Sequence, residues 1–401
     1  MKVLICGAGI IGLTIANECL NQNHEVVVVD KETVPGRHAS GRNSGVLHSG
    51  IYYPKDTLKS AFCREGIPLF QSFCSTHGIE IDTCGKLLVA KTQGELETLA
   101  LLFERGIDNG ITVEKLSQAQ LAKKAPYAKT VDTALWVEQT AVFDPNELLS
   151  RLIDLIDEHP KGRMCLGESF KCKIDETTIQ TNKATHAFDV FINCAGGYSD
   201  KIAHHFGVGR HLTLIPFKGI YKQLNPTLAK ELNHHIYPLP DLENPFLGVH
   251  FTKSKHGGVY VGPTAIPAFG PENYGLFEHM GMQSLNILYK DAVLFVKNKK
   301  FRRVACSEPK RYIHRWFYNE AKQLVQHLRP QDLMPSQKIG IRPQLVDWTT
   351  KELVMDFMIE KKDNHIHILN AISPAFSCCF SFAKHVVDHI KASVQTKSRI
   401  E

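Results

Sequence analysis

With 401 residues, 43% of them hydrophobic and 22% charged, the chain is long enough to bury a sizeable core and to divide into two domains. The composition excludes a disordered or fibrous protein, and no apolar run approaches the ~20 residues of a membrane-spanning helix. A net charge of +6 suits small anions and anionic surfaces as well as nucleic acid, so charge alone selects no partner.

The chain opens directly on its first strand, KVLIC, which predicts a cytoplasmic protein without a leader segment. The strand runs into Gly7-x-Gly9-x-x-Gly12, then an apolar helix starting at Ile10 and Ile11. EVVVV follows and ends at Asp30, eighteen residues after Gly12. Gly7 permits a tight turn, Gly9 lets backbone approach a pyrophosphate, and Gly12 lets helix and strand pack closely. The helix start offers unpaired N–H groups to that pyrophosphate, and Asp30 can accept from ribose hydroxyls. Together these parts predict a dinucleotide site, to which Lys31, next to Asp30, is assigned. The competing reading is a glycine-rich turn in some other α/β fold. Asp30 would repel a 2′-phosphate, which disfavours NADP and leaves NAD and FAD.

Next comes SGRNSGVLHSGIYY, residues 40–53. Asn43, Ser44 and Gly45 combine short donors with bare backbone, and His48 and Tyr53 follow. The stretch is either a flexible connector or backbone shaped to lie against a ligand.

Beyond it, TLKSAFCREGIPLFQSFCSTHG reads as a helix, GKLLVA (85–90) as a strand and GELETLALLFERGIDNG as a helix. TALWVEQTAVFD (133–144) is strand-like, and Pro145 opens a helix. DVFINCAGGYSDKIA (189–203) is a strand ending in Ala195, Gly196 and Gly197, a second place where bare backbone nears a ligand. Strand signals dominate 211–265, residues 275–330 read as helical and basic, strands return at MDFMIEKKD and HIHILNAI, and a last helix covers 374–393. These pieces predict a nucleotide-binding domain assembled from 1–83, 145–210 and 336–401, with a β-rich domain from 84–144 and 211–335 inserted between them.

The basic run KNKKFRRV is either a solvated helix face or a contact for an anionic membrane surface. Eleven cysteines form no CxxC pair, and Cys378 and Cys379 read as packing residues. The pairs His204-His205 and His234-His235 and the alternating His365 and His367 lack a carboxylate or cysteine partner at metal spacing, so no metal is expected.

Taken in order, GxGxxG, RNSGVLHSGIYY, CGKLLVA, INCAGGYSD, IPFKGIYKQL, IYPLPD, PFLGVHFT, GIRPQLV and NAISPAFS resemble the L-2-hydroxyglutarate dehydrogenase/oxidase family over residues 3–392. That family sits among the flavoproteins related to D-amino-acid and glycine oxidases. The resemblance implies an α/β fold: a Rossmann-type, glutathione-reductase-like FAD-binding domain with an inserted antiparallel-sheet α+β substrate domain roofing the flavin. It implies non-covalent FAD and oxidation of a small 2-hydroxy dicarboxylate, L-2-hydroxyglutarate, to 2-oxoglutarate by hydride transfer to N5. Electrons would pass to a quinone or to oxygen, with peripheral contact at the inner face of the cytoplasmic membrane as one option and no nucleic acid involved. Lys218, in PFKG, stands where the family commonly has arginine, and lysine cannot form the planar fork that grips a carboxylate.

Flavin oxidation of an alcohol needs a base for the hydroxyl proton and cations for the carboxylates. The catalytic candidates are His48, as base or flavin-anion stabiliser, and His250, as substrate ligand. Arg342 of GIRP is the preferred carboxylate fork, with Tyr53, Tyr237 and Lys218 as helpers. Ser373 and Pro374 open the last helix, whose first amides would point at the flavin. Two alternatives stay open: an amine or amino-acid oxidase on the same fold, and a non-catalytic flavin- or dinucleotide-binding protein.

Overall fold

The apolar run Lys2–Cys6 is buried along nearly its whole length, as expected for a parallel strand covered on both faces. It lies inside a six-stranded sheet in the order Met358–Lys362, His365–Asn370, Val190–Asn193, Lys2–Cys6, Glu25–Asp30, Gly162–Leu166. The strands are parallel except Met358–Lys362, which is antiparallel to its neighbour. This is a computed structural model, and it describes residues 1–242, 246–276 and 278–397, the side chains of 391–397 excepted. Pro245 of PFLGVHFT and residues 398–401 of the C-terminal piece lie outside the described residues.

Helix Ile10–Asn21 buries nine of its twelve residues, leaving only a narrow polar edge of Asn17, Glu18 and Asn21. Helices Pro145–Glu158 and Ala375–Lys397 pack on it, Leu58–Thr76 packs on Ala375–Lys397, and together they complete the largest core cluster, around Leu13, Ile15, Phe70, Leu152 and Phe382.

The second sheet has the order Glu352–Leu353, Leu333–Asp347, Leu212–Leu224, Val259–Gly262, His250–Lys253, His235–Pro238, Lys86–Val89, Ala134–Val137, Val113–Leu116, with Ile266–Pro267 paired to Leu212–Leu224. It is antiparallel except where His235–Pro238 runs parallel to Lys86–Val89. Its longest pairing, Leu212–Leu224 with Leu333–Asp347, sets Phe217 opposite Arg342. Leu333–Asp347 therefore runs across the division drawn at residue 336. TALWVEQTAVFD likewise divides: Ala134–Val137 joins this sheet, whereas Ala141–Val142 pairs with Val46–Leu47. Residues 275–330 supply helices Met282–Lys297, Lys299–Ser307 and His314–Ala321. The first two pack through Leu294, Phe301 and Val304 on Ile215 and Phe217.

Lys2–Cys6 has Glu25–Asp30 on one side and Val190–Asn193 on the other. Connections leave in opposite directions there, which opens a crevice at the carboxyl ends of the strands.

Candidate active site

A cavity of about 630 Å³ starts in that crevice and extends under the second sheet. Its size lies within the ~300–1,000 Å³ typical of small-molecule sites. The three motif glycines divide into two kinds. A Cβ on Gly12 would stand 1.9 Å from the carbonyl oxygen of Gly7, and one on Gly7, at φ +116°, would stand 2.3 Å from that of Cys194. Their bareness is needed by the protein's own packing. Gly9 lines the cavity, and a Cβ there would meet only Ser40 Oγ at 3.1 Å. Gly196, at φ +54°, also lines it with nothing within 4 Å of the Cβ position. These two leave room for a ligand to touch backbone.

Asp30 accepts from the backbone N–H of Ala8 (2.6 Å) and Glu32 (2.8 Å), tying the glycine turn to the strand end while still lining the cavity. Ser40 Oγ accepts from Ile10 N–H (2.9 Å) at the helix start. Lys31 meets Glu272 at 2.7 Å, His38 Nε2 at 2.9 Å, and Glu32. Among the described residues, Glu32, His38 and Glu272 are the acidic and histidine groups gathered at metal-like spacing, and the Lys31 ammonium already supplies a cation to all three. Tyr198 donates to Glu272, Tyr274 bonds His38 Nδ1 at 2.9 Å, and the Arg42 guanidinium lies 3.7 Å from the Tyr274 ring centre. Residues 271–274 of the inserted part thus cross the dinucleotide end, with Pro271 seated over Gly197.

At the other end the cavity is walled by His48, Tyr221, Tyr237, Phe246, His250 and Arg342. Backbone N–H of His48 donates to Ser377 Oγ (2.8 Å) in the first turn of Ala375–Lys397, which anchors the SGRNSGVLHSG loop to that helix. His250 Nδ1 bonds the Gly248 carbonyl (2.8 Å), so Nδ1 is the donor and Nε2 is left as an acceptor. The His250 ring lies against Tyr237 with centroids 3.9 Å apart. Burial pushes the His250 imidazole down to about 4 and His235 down to about 3. Burial, with Lys86, His235, His250 and Arg342 around it, holds His48 well below the ordinary histidine range. All three are neutral near pH 7, the protonation state a general base needs.

A stability consequence follows. A histidine with an ordinary affinity near 6.5 in the unfolded chain and about 3 or 4 in the fold binds protons preferentially when unfolded. His235, His250 and His367 therefore leave stability undiminished above pH 6.5. Each removes about 1.4 kcal/mol per pH unit as pH falls from there toward its folded value. The melting temperature of the holoprotein is expected to drop between pH 7 and pH 5. A flat profile would show that these histidines are solvated in the fold.

The structure places most of the predicted site residues on this cavity: Gly7, Gly9, Ile10, Ile11, Asp30, Lys31, Asn43, Ser44, His48, Ala195, Gly196, Gly197, Tyr237, His250, Arg342, Ser373 and Pro374. Four do not line it. Gly12 packs on Gly7, and Gly45, at φ +72°, lets the loop pass the Phe143 carbonyl, 2.2 Å from where a Cβ would be. Tyr53 turns into the first core, with the Lys59 ammonium 5.5 Å from its ring centre. Lys218 points to the opposite face of its strand from Phe217 and Gly219 and donates to the Gly275 carbonyl (2.5 Å). Sequence reasoning misses Ser40, Arg42, Tyr198, Tyr221 and Tyr274. Tyr221 carries a signal, since Phe217, Gly219 and Tyr221 alternate along one strand. The histidine pairs do not gather: His204 Nε2 bonds the Gly209 carbonyl at 2.9 Å and His234 Nδ1 the Cys84 carbonyl at 2.6 Å.

The open backbone at Gly9 and Gly196, the helix start and the acid at Asp30 fit a dinucleotide, and the cavity continues past it to a histidine-lined chamber. A flavin dinucleotide suits that continuous shape. Comparison with known proteins agrees. The FAD dependent oxidoreductase family matches residues 2–389. The L-2-hydroxyglutarate dehydrogenase of Indibacter alkaliphilus is 32% identical over 394 residues, covering 96% of this chain and 98% of that protein. The protein of the same description from Escherichia coli K12 is 30% identical over 98% of this chain and 94% of its own length. Among solved structures, dithionite-reduced L-α-glycerophosphate oxidase of Mycoplasma pneumoniae with FAD bound superimposes with a TM-score of 0.71 at 21% identity, covering 97% and 94% of the two chains. FAD is the cofactor this fold carries. Among the described residues no helix is long and apolar enough to cross a membrane. With near full-length matches on both counts, the chain belongs to the FAD-dependent oxidoreductases and, within them, to the L-2-hydroxyglutarate dehydrogenase family.

Proposed function

We propose that the protein oxidises L-2-hydroxyglutarate, or a close L-2-hydroxy acid, to the 2-oxo acid. The observation that carries this is the convergence of two neutral histidines, a half-buried arginine and a tyrosine on the far end of a glycine-floored dinucleotide cavity. Relatives described as L-2-hydroxyglutarate dehydrogenases support the choice of substrate.

FAD, which Gly9, Asp30, Ser44 and Gly196 would hold, would supply the acceptor for the hydride at C2 of the substrate. The protein's part is to bind, orient and deprotonate. Arg342 presents a planar fork to the substrate carboxylate, and its partial desolvation favours an anion beside it. His48, held neutral, receives the hydroxyl proton, and His250 Nε2 is the hydrogen-bond acceptor that orients the hydroxyl. The Tyr237 ring packs on the His250 ring, tilted by 31°, and limits its rotation. The first sheet with its helices holds FAD and the second sheet holds substrate, Arg342 being carried by the strand that runs across the division.

Anaerobic addition of L-2-hydroxyglutarate to the purified yellow protein is expected to bleach the flavin band, and the D-isomer to leave it unchanged. Bleaching by amino acids instead would establish an amine oxidase and overturn this reading. A band that no hydroxy acid changes would leave a non-catalytic flavoprotein.

We further propose that electrons leave at a membrane surface, where a quinone rather than oxygen is the acceptor. On Met282–Lys297, Met282 (85% exposed), Leu285 (63%), Tyr289 (64%) and Val296 (67%) recur at helical spacing, opposite the inward Ile287 and Leu294. Exposed Lys297, Lys299 and Lys300 border this apolar face. An anionic bilayer complements both features, whereas a second copy would bring like charges together. The protein is expected to float with vesicles of phosphatidylcholine and phosphatidylglycerol but not with phosphatidylcholine alone, and Leu285→Ser with Tyr289→Ser should abolish flotation. A dimer in light scattering that the same variants dissociate would assign the face to a second copy instead.

A further inference from the structure

Lys86 is a buried charge for which the roles above have no use. It is 0% exposed in strand Lys86–Val89, and its ammonium has no hydrogen-bond partner. Tight packing fixes the strand that carries it. Gly85 before it lies so close to the Trp136 indole that a Cβ would stand 1.9 Å from the ring, and the Gly85 carbonyl accepts from His235 N–H at 3.1 Å.

The Lys86 ammonium lies 4.5 Å from the centre of the Tyr52 ring and 5.5 Å from that of Tyr237. The Tyr52 hydroxyl is itself buried without a partner. Tyr237, whose hydroxyl is engaged with Thr252 Oγ1 at 3.3 Å, is a wall of the substrate end of the cavity. Two donors without hydrogen-bond partners therefore sit behind that wall, the ammonium 5.5 Å from the Tyr237 ring centre. Leaving an ammonium unpaired in such a place costs several kcal/mol, and burial pushes its affinity down to about 7. A carboxylate would satisfy both donors and restore the charge. Arg342 and Lys86 both lie near enough to His48 and His250 to lower their proton affinity.

A dicarboxylate calls for two cationic subsites. Arg342 is one; Lys218 is not the other, because it faces away and holds Gly275. We propose that Lys86, with the Tyr52 hydroxyl, is the specificity-determining group of the substrate site and pairs the distal carboxylate of a dicarboxylic 2-hydroxy acid, while Arg342 holds the carboxylate beside the reacting carbon. This rests on the hydroxy-acid reading above. Neither the Lys86 nor the Tyr52 side chain lines the cavity, so the pairing requires the flexible four-carbon stem of lysine to turn past the Tyr237 ring when the substrate binds.

The test uses the FAD-loaded protein and two inert probes, glutarate and butyrate, with binding read from the perturbation of the flavin absorption spectrum. Wild type is expected to prefer glutarate. Lys86→Met should weaken glutarate about tenfold or more, the loss of a charge-assisted pair, and leave butyrate within about twofold. Tyr52→Phe should weaken glutarate about threefold in the same selective way, and it serves as the decisive variant if Lys86→Met does not retain FAD. Equal loss of both probes, or retention of the glutarate preference in both variants, overturns the role of Lys86. A wild type with no preference for glutarate overturns the dicarboxylate reading itself, so the two failures are distinguishable.

Discussion

Replacing His48 by alanine is expected to slow anaerobic flavin reduction by L-2-hydroxyglutarate about 10²–10⁴-fold, the usual contribution of a positioned general base, or about 3–5 kcal/mol of barrier. The fold should tolerate the change. The contact that anchors this loop is the backbone N–H of His48 on Ser377 Oγ, and truncating the side chain leaves it in place. FAD should remain bound, because Asn43, Ser44 and the glycine turn are untouched. Stopped-flow absorbance separates the two effects: full flavin absorption at time zero with a slow decay supports the assignment. Reduction within about threefold of wild type would remove His48 from the chemistry and leave His250 as the base.

The second large effect is structural. Gly12→Ala places a methyl group 1.9 Å from the Gly7 carbonyl oxygen, a backbone atom that cannot swing aside. Helix Ile10–Asn21 must then move off strand Lys2–Cys6. The cost is expected to be at least about 3 kcal/mol, the upper range for overpacking a tight core. Because the same movement displaces Gly9 and the helix start, the purified variant should be colourless or bind FAD far more weakly. Gly94→Ala is the matched control. Nothing lies within 4 Å of its Cβ position, so it should stay within about 0.5 kcal/mol of wild type. A Gly12→Ala protein that is yellow and melts within a few degrees of wild type would contradict the packing role.

Much of this protein is legible in the amino-acid sequence, and the reason is locality. Glycine spacing, a strand before it, a helix after it and an acid at the next strand end are properties of one short consecutive stretch, and the fold holds them as expected, with Asp30 bonded back to Ala8. The place of His48 on the cavity follows from the same loop, but its proposed role comes from the resemblance and not from spacing. The pairing of Phe217 with Arg342, by contrast, joins residues 125 positions apart, the difference between 342 and 217. No local pattern announces it.

The departures are of that second kind. Which face of a strand looks into a cavity depends on register, and one residue of offset turns a side chain from site to surface. Lys218 and Tyr221 show this on a single strand: the lysine, a candidate for its charge, faces away, and the tyrosine, which carries no charge to mark it, faces in. Tyr53, in the turn beside Tyr52, packs on the first core instead of lining the cavity. Lys86 illustrates the reverse case. In the sequence it is one of many lysines in a short apolar strand, and nothing local separates a snorkelling surface lysine from a sealed one. Its significance arises from what surrounds it, two tyrosine rings and an absence of acceptors, and those neighbours come from distant segments of the chain. Dinucleotide binding is thus written in short-range spacing, because backbone geometry enforces it. The substrate chamber is settled by long-range strand pairing and burial, because charge, protonation state and reach are properties of a place rather than of a residue.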